Sequence, residues 1–370
     1  IHQVSGSSSD ISFDLRLDGT KSSTENPLIL STAGSAVVRA RVRNGNEWSP
    51  LTAATFLVDT DLADETSLAI SEIHYRPSSP RDAELNAGFD ESSDFEFIEL
   101  LNKGSRPIDL GGLAFTTGIG FDFDAAVTGT TLLAGERMVL VNNLAAFQFR
   151  YGNTLQVAGE YTGDLDNDGE QLVVSDSSGE IVLNVTYNDA DPWPASADGD
   201  GYSLVLIAPG QVTNVNSPVA WRTSAETDGN PGGSDATSYS QWRSAEGITN
   251  DSADPDGDGL TNLMEYVLGS SPSTHSDQAA PHSAVRELEI DGVTESYLTM
   301  EVRRRIGAED VLIEPQYSED LLTWSGGGEN ITLISVSNNG DGSETLVFRG
   351  VSPVSDNRTL YVRSRFTLSQ

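Results

Sequence analysis

Residues 254–265 (DPDGDGLTNLME) constrain what this chain can form more than any other segment. Asp254, Asp256 and Asp258 stand at positions 1, 3 and 5 of this segment. Gly259 follows at position 6, and Glu265 stands at position 12. Four carboxylates held this close together repel one another unless a cation neutralises them. The spacing is that of a loop that wraps around a calcium ion.

The predicted ligands are all oxygen atoms, as a hard cation such as Ca²⁺ requires. They comprise three Asp carboxylates, the main-chain carbonyl at position 7, a side chain or water at position 9, and both oxygens of the final Glu. The ligand residues are therefore Asp254, Asp256, Asp258, Leu260, Asn262 and Glu265. The alternative is an acidic turn that only water solvates, but the glycine and the final glutamate, both in register, favour calcium.

A short amphipathic helix is predicted to leave the loop and to end at Gly269. Its apolar residues follow helical spacing: Leu260, Leu263, Met264, Val267 and Leu268. The ITNDSA stretch before the loop does not favour a helix, and Pro255 occupies loop position 2. The segment resembles the calcium loops of thrombospondin type 3 repeats, dockerins and EF-hands, without the first helix of a full EF-hand. We interpret it as a calcium-stabilised joint between larger parts of the chain.

Composition excludes several classes of partner and site. The 370 residues include 56 acidic and 21 basic ones, which gives a formal net charge of -35. Nucleic acids and anionic membranes are poor partners, because binding phosphate requires Lys and Arg. No cysteine is present, so disulfides, thiol catalysis and zinc thiolate sites are excluded. No apolar run approaches the ~20 residues of a membrane span, so we expect no membrane insertion.

The localisation expected from these features is extracellular or at the cell surface. A calcium loop of modest affinity is most useful where calcium is millimolar, outside the cytosol. The chain begins at Ile1 without a charged and then apolar leader. We therefore expect a mature or trimmed portion of an exported protein.

Short alternating apolar runs, separated by Gly, Ser, Asn and Asp turns, predict an all-β fold of tandem immunoglobulin-like β-sandwiches joined by the calcium loop and helix. The length allows two or more domains. The predicted order is a partial sandwich at 1–60, a sandwich at 67–235, a linker at 236–253, the calcium loop and helix at 254–269, a linker at 270–283 and a C-terminal sandwich at 284–370.

Residues 67–235 carry a series of motifs in a characteristic order. They are SEIHYRP (71–77), FEFIELLNKGSRPIDLGGLAFTTGIGFDF (95–123), LLAGERMVLVNN (132–143), GEQLVVSDSSGEIVLNVTYND (169–189), DPWPASADGDGYSLVLI (191–207) and DGNPGGSD (228–235). This series resembles a bacterial lamin tail domain. The resemblance implies an immunoglobulin-like sandwich, a scaffold that hosts many functions. It also implies a large exported protein of the planctomycete and verrucomicrobial type.

The flanking parts carry shorter resemblances. Residues 36–56 are similar to the last two strands of fibronectin-like or chitobiase-tail-like modules. Residues 317–324 (YSEDLLTW) resemble part of a terminal β-sandwich module of the same bacterial proteins. The first sandwich lacks its first strands, so it is either truncated or completed by a strand from another copy.

Two further candidate sites have weaker signals. Asp164, Asp166 and Asp168 repeat the start of the calcium pattern, but position 12 is Ser175, and a hairpin turn is the alternative. Trp193, Trp221 and Trp242 are candidate stacking platforms for a polysaccharide. Such platforms would make the chain a carbohydrate-binding appendage of a larger extracellular degradative enzyme.

No motif singles out a catalytic centre. The chain has no GxSxG and no kinase signature. Glu72, Glu96 and Glu99 are expected to make structural hydrogen bonds, and His74 to be packed. We therefore predict no enzyme, but a calcium-binding structural or adhesive segment of an exported cell-surface, matrix or filament protein. Its expected partners are other copies or other modules of such a protein.

Overall fold

A computed structural model describes most of the chain, and strand outweighs helix in it by 39% to 13%. This confirms the predicted all-β fold class. The described residues are 2–5, 11–13, 34–40, 43–44, 47–126, 129–276, 279–326, 330–354 and 359–369. Most residues that bear on whether the first sandwich is complete lie outside these ranges, so that expectation stays a prediction.

The first strands form a four-stranded antiparallel sheet in the order β2-β1-β3-β6. The strands of this part are β1 (His2–Ser5), β2 (Ile11–Phe13), β3 (Gly34–Ala40), β4 (Arg43–Asn44), β5 (Glu47–Trp48), β6 (Thr52–Val58) and β7 (Asp61–Leu62). β3 and β6 pair from Gly34 opposite Val58 to Ala40 opposite Thr52. They are the two strands predicted within residues 36–56.

Residues 63–235, here called the central module, form a sandwich. Its strands are β8 (Leu68–His74), β9 (Phe97–Asn102), β10 (Ile108–Asp109), β11 (Ala114–Thr117), β12 (Phe121–Asp122), β13 (Thr131–Leu132), β14 (Arg137–Val141), β15 (Val157–Glu160), β16 (Gln171–Ser175), β17 (Ile181–Thr186), β18 (Leu204–Leu206) and β19 (Trp221–Thr223). A six-stranded sheet, β15-β14-β9-β8-β18-β19, faces a four-stranded sheet, β12-β11-β16-β17, and β13-β10-β7 closes one side.

Every residue of β8 and β9 is buried, because both faces of the six-stranded sheet are covered. One face, with Ile70 and Leu100, lies in the main core against Leu172 of the opposite sheet. The other face packs against a helix through Phe97 and Phe147. Burying a large apolar side chain contributes about 1.5–3 kcal/mol, so this double coverage stabilises the central strands.

Four α-helices occur in the described residues: α1 (Asp82–Ala87), α2 (Leu144–Tyr151), α3 (Tyr239–Ala245) and α4 (Asn262–Leu268). The Asn143 side chain caps α2 by accepting hydrogen bonds from the backbone N–H groups of Ala145 and Ala146. None of the helices in the described ranges is long and apolar enough to span a membrane.

Residues 236–369, here called the C-terminal module, contain the remaining strands. They are β20 (His282–Ile290), β21 (Val293–Arg305), β22 (Val311–Ser318), β23 (Ser325–Gly326), β24 (Ile331–Asn338), β25 (Ser343–Gly350) and β26 (Tyr361–Leu368). They form the sheets β20-β21-β25-β24 and β23-β22-β26. Residues 339–342 make the predicted turn between β24 and β25. Arg303, Arg304 and Arg305 lie beyond the part of β21 that pairs with β20, which ends at Glu301, and they pair with β25 alone.

The segment predicted as a linker at 236–253 instead contains α3. Ser238 and Gln241 form a capping box at its start. Its Tyr239 and Trp242 pack with Tyr266 of α4 and with Val311 of β22. α3, the acidic loop and α4 are therefore a layer of the C-terminal module rather than a free connector.

Candidate calcium centre

The structure brings the three predicted Asp ligands together. One carboxylate oxygen from each of Asp254, Asp256 and Asp258 lies within 4.8 Å of the others. Within the described ranges, this is the one group of three or more His, Cys, Asp or Glu side chains so placed. The group contains oxygen donors alone, which suits Ca²⁺ rather than a softer metal.

The loop backbone positions these carboxylates. Both oxygens of Asp254 accept backbone hydrogen bonds, from Gly257 N at 2.8 Å and from Gly259 N at 3.0 Å. Asp258 Oδ1 accepts a hydrogen bond from Leu260 N at 2.8 Å. Gly257 and Gly259 have φ angles of 78° and 90°, a left-handed backbone conformation that residues other than glycine adopt only at an energetic cost. The glycines therefore allow the tight turn that the spacing predicts.

Glu265 provides evidence for a cation that does not depend on the sequence pattern. It lies in α4 and is fully buried. Neither of its carboxylate oxygens accepts a hydrogen bond from any described residue. Burial and, after it, the charges of Asp256, Asp258 and Asp254 together raise the pKa of Glu265 to about 7. A buried, unpaired carboxylate is unfavourable, and a bound cation would supply the missing partner.

Asn262 and Asp256 present further unpaired oxygens. Asn262 Oδ1 and Asp256 Oδ2 are buried and lack hydrogen-bond partners in the described part of the chain. The other side of the Asn262 amide is used, since its Nδ2 donates to Asn250 O at 2.7 Å. Asn262 thereby ties the segment before the loop to α4, and its free oxygen is available at the predicted position.

Leu260 and Ser276 anchor the loop to the C-terminal module. The Leu260 side chain is buried in the same apolar cluster as Met300 and Val302 of β21. Its main-chain carbonyl is the predicted ligand. Ser276 N donates to Asp258 Oδ2 at 3.1 Å, so the residues that follow α4 return to the loop.

Two arginines of β21 fix the far end of α4. Arg303 Nε donates to Leu268 O at 3.1 Å, and Arg305 Nε donates to Tyr266 O at 2.8 Å. Cations at a helix C-terminus satisfy its free carbonyls and interact favourably with its dipole. Gly269, with φ 74°, ends the helix where the sequence predicts. The helix that carries Glu265 is therefore held at both ends.

The second acidic cluster does not form a comparable group. Asp164 Oδ1 accepts a hydrogen bond from Asn142 Nδ2 at 2.9 Å. Asp166 Oδ1 accepts one from Asp168 N at 2.9 Å, which makes a local turn. This turn links β15 and β16, which belong to different sheets, so it is neither the predicted metal site nor the predicted hairpin.

The proposed sugar platforms are wrong, because all three tryptophans are buried. Trp193 and Trp242 are 7% exposed, and Trp221 is fully buried. Trp193 and Trp221 pack together in the central core with ring centroids 6.3 Å apart. Trp242 packs with Tyr239 and Tyr266. Their ring faces serve the cores and are not open to a glycan.

Buried carboxylates of the central module make structural hydrogen bonds. Glu72 Oε1 accepts hydrogen bonds from Ser203 Oγ at 2.5 Å and from Asn230 N at 2.9 Å. Glu99 accepts hydrogen bonds from Arg137 Nε at 2.9 Å and from Gly232 N at 2.6 Å. These bonds attach residues 228–235 to the six-stranded sheet. The cavity beside them, about 20 Å³, holds one water molecule at most.

His74 is packed, as expected. It is fully buried against Phe97, with ring centroids 5.2 Å apart. Neither ring nitrogen has a hydrogen-bond partner among the residues that the structure describes. Burial lowers the pKa of His74 to about 3, so the ring is neutral at physiological pH. A buried, neutral and unpaired imidazole is part of the core.

Comparison with known proteins identifies one part of the chain. Residues 63–189 match the family model of the Lamin Tail Domain. The match covers the central module from its start to the turn after β17, and it supports the predicted immunoglobulin-like sandwich. It indicates a non-catalytic structural module. No curated protein and no solved structure matches the chain.

Proposed function

We propose that this chain, built around a lamin tail domain, is a calcium-binding structural or adhesive segment of an exported cell-surface, matrix or filament protein. The single observation that carries the calcium site is Glu265, whose buried carboxylate has no hydrogen-bond partner among the described residues and lies close enough to three Asp side chains for their charges to raise its pKa. The carboxylates sum to four negative charges, and Ca²⁺ offsets part of their repulsion.

The proposed role of calcium is to stabilise the layer formed by α3, the acidic loop and α4. α4 is only seven residues long, and isolated helices of that length are marginal in water. Its stability therefore comes from packing on β21 and from the loop at its start. Calcium would hold that start, and the millimolar calcium found outside cells would keep the site filled.

The structural part of the proposal rests on the Lamin Tail Domain match and on the tandem sheets. Such a segment would contact other copies or other modules of a surface protein. Sedimentation velocity across a range of protein concentrations at millimolar calcium tests this contact. Concentration-dependent association supports adhesion or filament formation, and a monomer at every concentration restricts the role to that of a spacer.

The calcium site is tested by isothermal titration of the metal-free protein with CaCl₂. We expect one site in the wild type and no measurable binding in Asp258→Ala. The matched control is Asp166→Ala in the second acidic cluster, which should bind as the wild type does. Binding that persists in Asp258→Ala, or that disappears in Asp166→Ala, contradicts the assignment.

A further inference from the structure

The central and C-terminal modules meet at a buried ionic cluster outside the calcium loop. Arg222 lies in β19 of the central module, and its side chain is 2% exposed. It pairs with Asp235 at the end of the central module and with Glu309 between β21 and β22 of the C-terminal module. These two acidic side chains are 12% and 14% exposed, so the cluster is largely shielded from water.

The guanidinium of Arg222 uses all of its donors. Its Nε donates to Glu309 Oε1 at 3.0 Å, and its Nη2 donates to the same oxygen at 2.5 Å and to Asp235 Oδ1. Its Nη1 donates to Thr223 O at 2.9 Å and to Asp235 Oδ2 at 3.2 Å. Five N–H groups in a planar fork are what arginine offers, and lysine cannot reproduce them.

Electrostatics favour the charged forms of Arg222 and Asp235. Burial disfavours the Arg222 cation, but the hydrogen bonds and charges of Asp235 and Glu309 hold its pKa above the usual range. Burial likewise acts against the Asp235 carboxylate, and Arg222 outweighs it and lowers the pKa of Asp235. Arg222 and Asp235 are therefore both ionised at neutral pH.

Neighbouring contacts join the same two modules. Ala208 N donates to Glu309 Oε2 at 3.0 Å, and Asn338 Nδ2 donates to Thr223 Oγ1 at 3.2 Å. Pro194 and Val336 form an isolated parallel β-bridge between the two modules. Glu309 is thus shared between the arginine and a backbone N–H of the central module.

We propose that Arg222 is an ionic clasp, which holds the central and C-terminal modules in a fixed relative orientation independently of calcium. The calcium loop packs against β21 and residue 276, whereas the contacts of Arg222 go to Thr223, Asp235 and Glu309. Removing one member of a buried ion pair leaves the others charged and unpaired, which strongly favours separation. The clasp does not rest on the proposed calcium site.

The test measures the distance between the two modules. The chain has no cysteine, so Ser177→Cys in the central module and Thr294→Cys in the C-terminal module accept two spin labels at defined exposed positions. Double electron–electron resonance should give one narrow distance distribution, in calcium and in EGTA alike. Arg222→Met should broaden it, because loss of the buried pair raises the opening equilibrium by on the order of a hundredfold.

Two further variants make the result decisive. Arg106→Met removes an exposed pair with Asp61, whose side chains are both 57% exposed, and should leave the distribution narrow. Glu309→Gln weakens the clasp from the C-terminal module. If near-ultraviolet circular dichroism shows that Arg222→Met is misfolded, the distance distribution of Glu309→Gln tests the clasp instead. A narrow distribution in folded Arg222→Met or in Glu309→Gln overturns the clasp. Broadening of the wild type in EGTA overturns its independence from calcium, whereas a failed calcium titration leaves it standing.

Discussion

The central module and the acidic layer of the C-terminal module both bury glutamates, but the hydrogen bonding of these glutamates differs between the two regions. In the central module, Glu72 and Glu99 each receive hydrogen bonds from side chains and backbone N–H groups. In the acidic layer, Glu265 receives none from the described residues, and the charges of three aspartates raise its pKa. The first arrangement is complete within the protein, and the second requires a partner from outside it.

The difference shows how to separate a structural carboxylate from a ligand. Burial alone does not, because Glu72, Glu99 and Glu265 are all buried. The donors around each carboxylate do separate them, because Glu72 and Glu99 have hydrogen-bond partners within the protein and Glu265 has none among the described residues. We expect the two regions to respond differently to removal of calcium and to pH.

Removal of calcium should give the largest effect. A ligand present at 100 to 1,000 times its Kd stabilises the folded state by about 3–4 kcal/mol. We expect EGTA to remove this stabilisation from the C-terminal module and so to lower its melting temperature. The melting temperature of the central module should not change. Hydrogen exchange followed by mass spectrometry resolves the two regions. Equal deprotection of residues 97–102 and 262–268 would contradict the contrast.

Glu265→Gln should have the next largest effect, and its sign depends on calcium. The amide keeps the shape of the side chain and removes the buried charge. In EGTA the variant should therefore be more stable than the wild type, by about 1–3 kcal/mol. In calcium it should gain nothing. Urea unfolding in both buffers measures this, and a variant destabilised equally in both would indicate a packing role alone.

The pH dependence of the central module should follow from Glu72. Burial raises its pKa to about 8 from an ordinary value of 4.5, and the charge of Glu99 adds to this shift. The folded state binds the proton of the Glu72 carboxyl more tightly than the unfolded chain does. The stability that this protonation provides is therefore present below pH 4.5 and is lost as the pH rises towards 8.

We expect the free energy of unfolding to fall between pH 5 and pH 9 in the wild type and to fall less in Glu72→Gln. Chemical denaturation at each pH measures the change. Glu226→Gln, at an exposed position, is the matched control and should follow the wild type. A fall that is the same in all three proteins would exclude Glu72 as its source.

The smallest expected effect concerns the end of α4. Gly269 has φ 74°, and alanine in that conformation costs about 1 kcal/mol. Gly269→Ala should destabilise the C-terminal module by that amount in thermal unfolding. Gly210 lacks a left-handed φ, and a Cβ there meets no described atom within 4 Å. Gly210→Ala should therefore be neutral or slightly stabilising, and an equal loss in both variants would show that the helix end is not under this constraint.

The sequence predicted those structural features that depend on the local spacing of residues. The positions of Asp254, Gly259 and Glu265 indicate the loop, and the apolar period up to Gly269 gives the helix that the structure contains. The sheet content followed from alternating apolar runs. The turn between β24 and β25 followed from residues 339–342, whose Gly and Asn favour tight turns.

Features that depend on distant contacts were missed. α3 has seven residues, and its local signals are the Ser238–Gln241 capping box and the i, i+3 spacing of Tyr239 and Trp242, too short a pattern to predict a helix. The burial of Trp242 depends on Tyr266, and nothing near it in sequence shows this. Arg222 and Glu309 are 87 positions apart, so no spacing rule could pair them. An arginine within a buried strand was the available hint.

The bond between Arg222 and Glu309 closes a loop of the chain that contains α3, the acidic segment and α4. Tension applied to the two ends of the protein would pass through that bond and the neighbouring contacts between the two modules, and would bypass the residues between 222 and 309. The calcium layer would be shielded from load while the bond holds. Once the bond ruptured, the enclosed stretch would become slack that can extend before the chain bears force again.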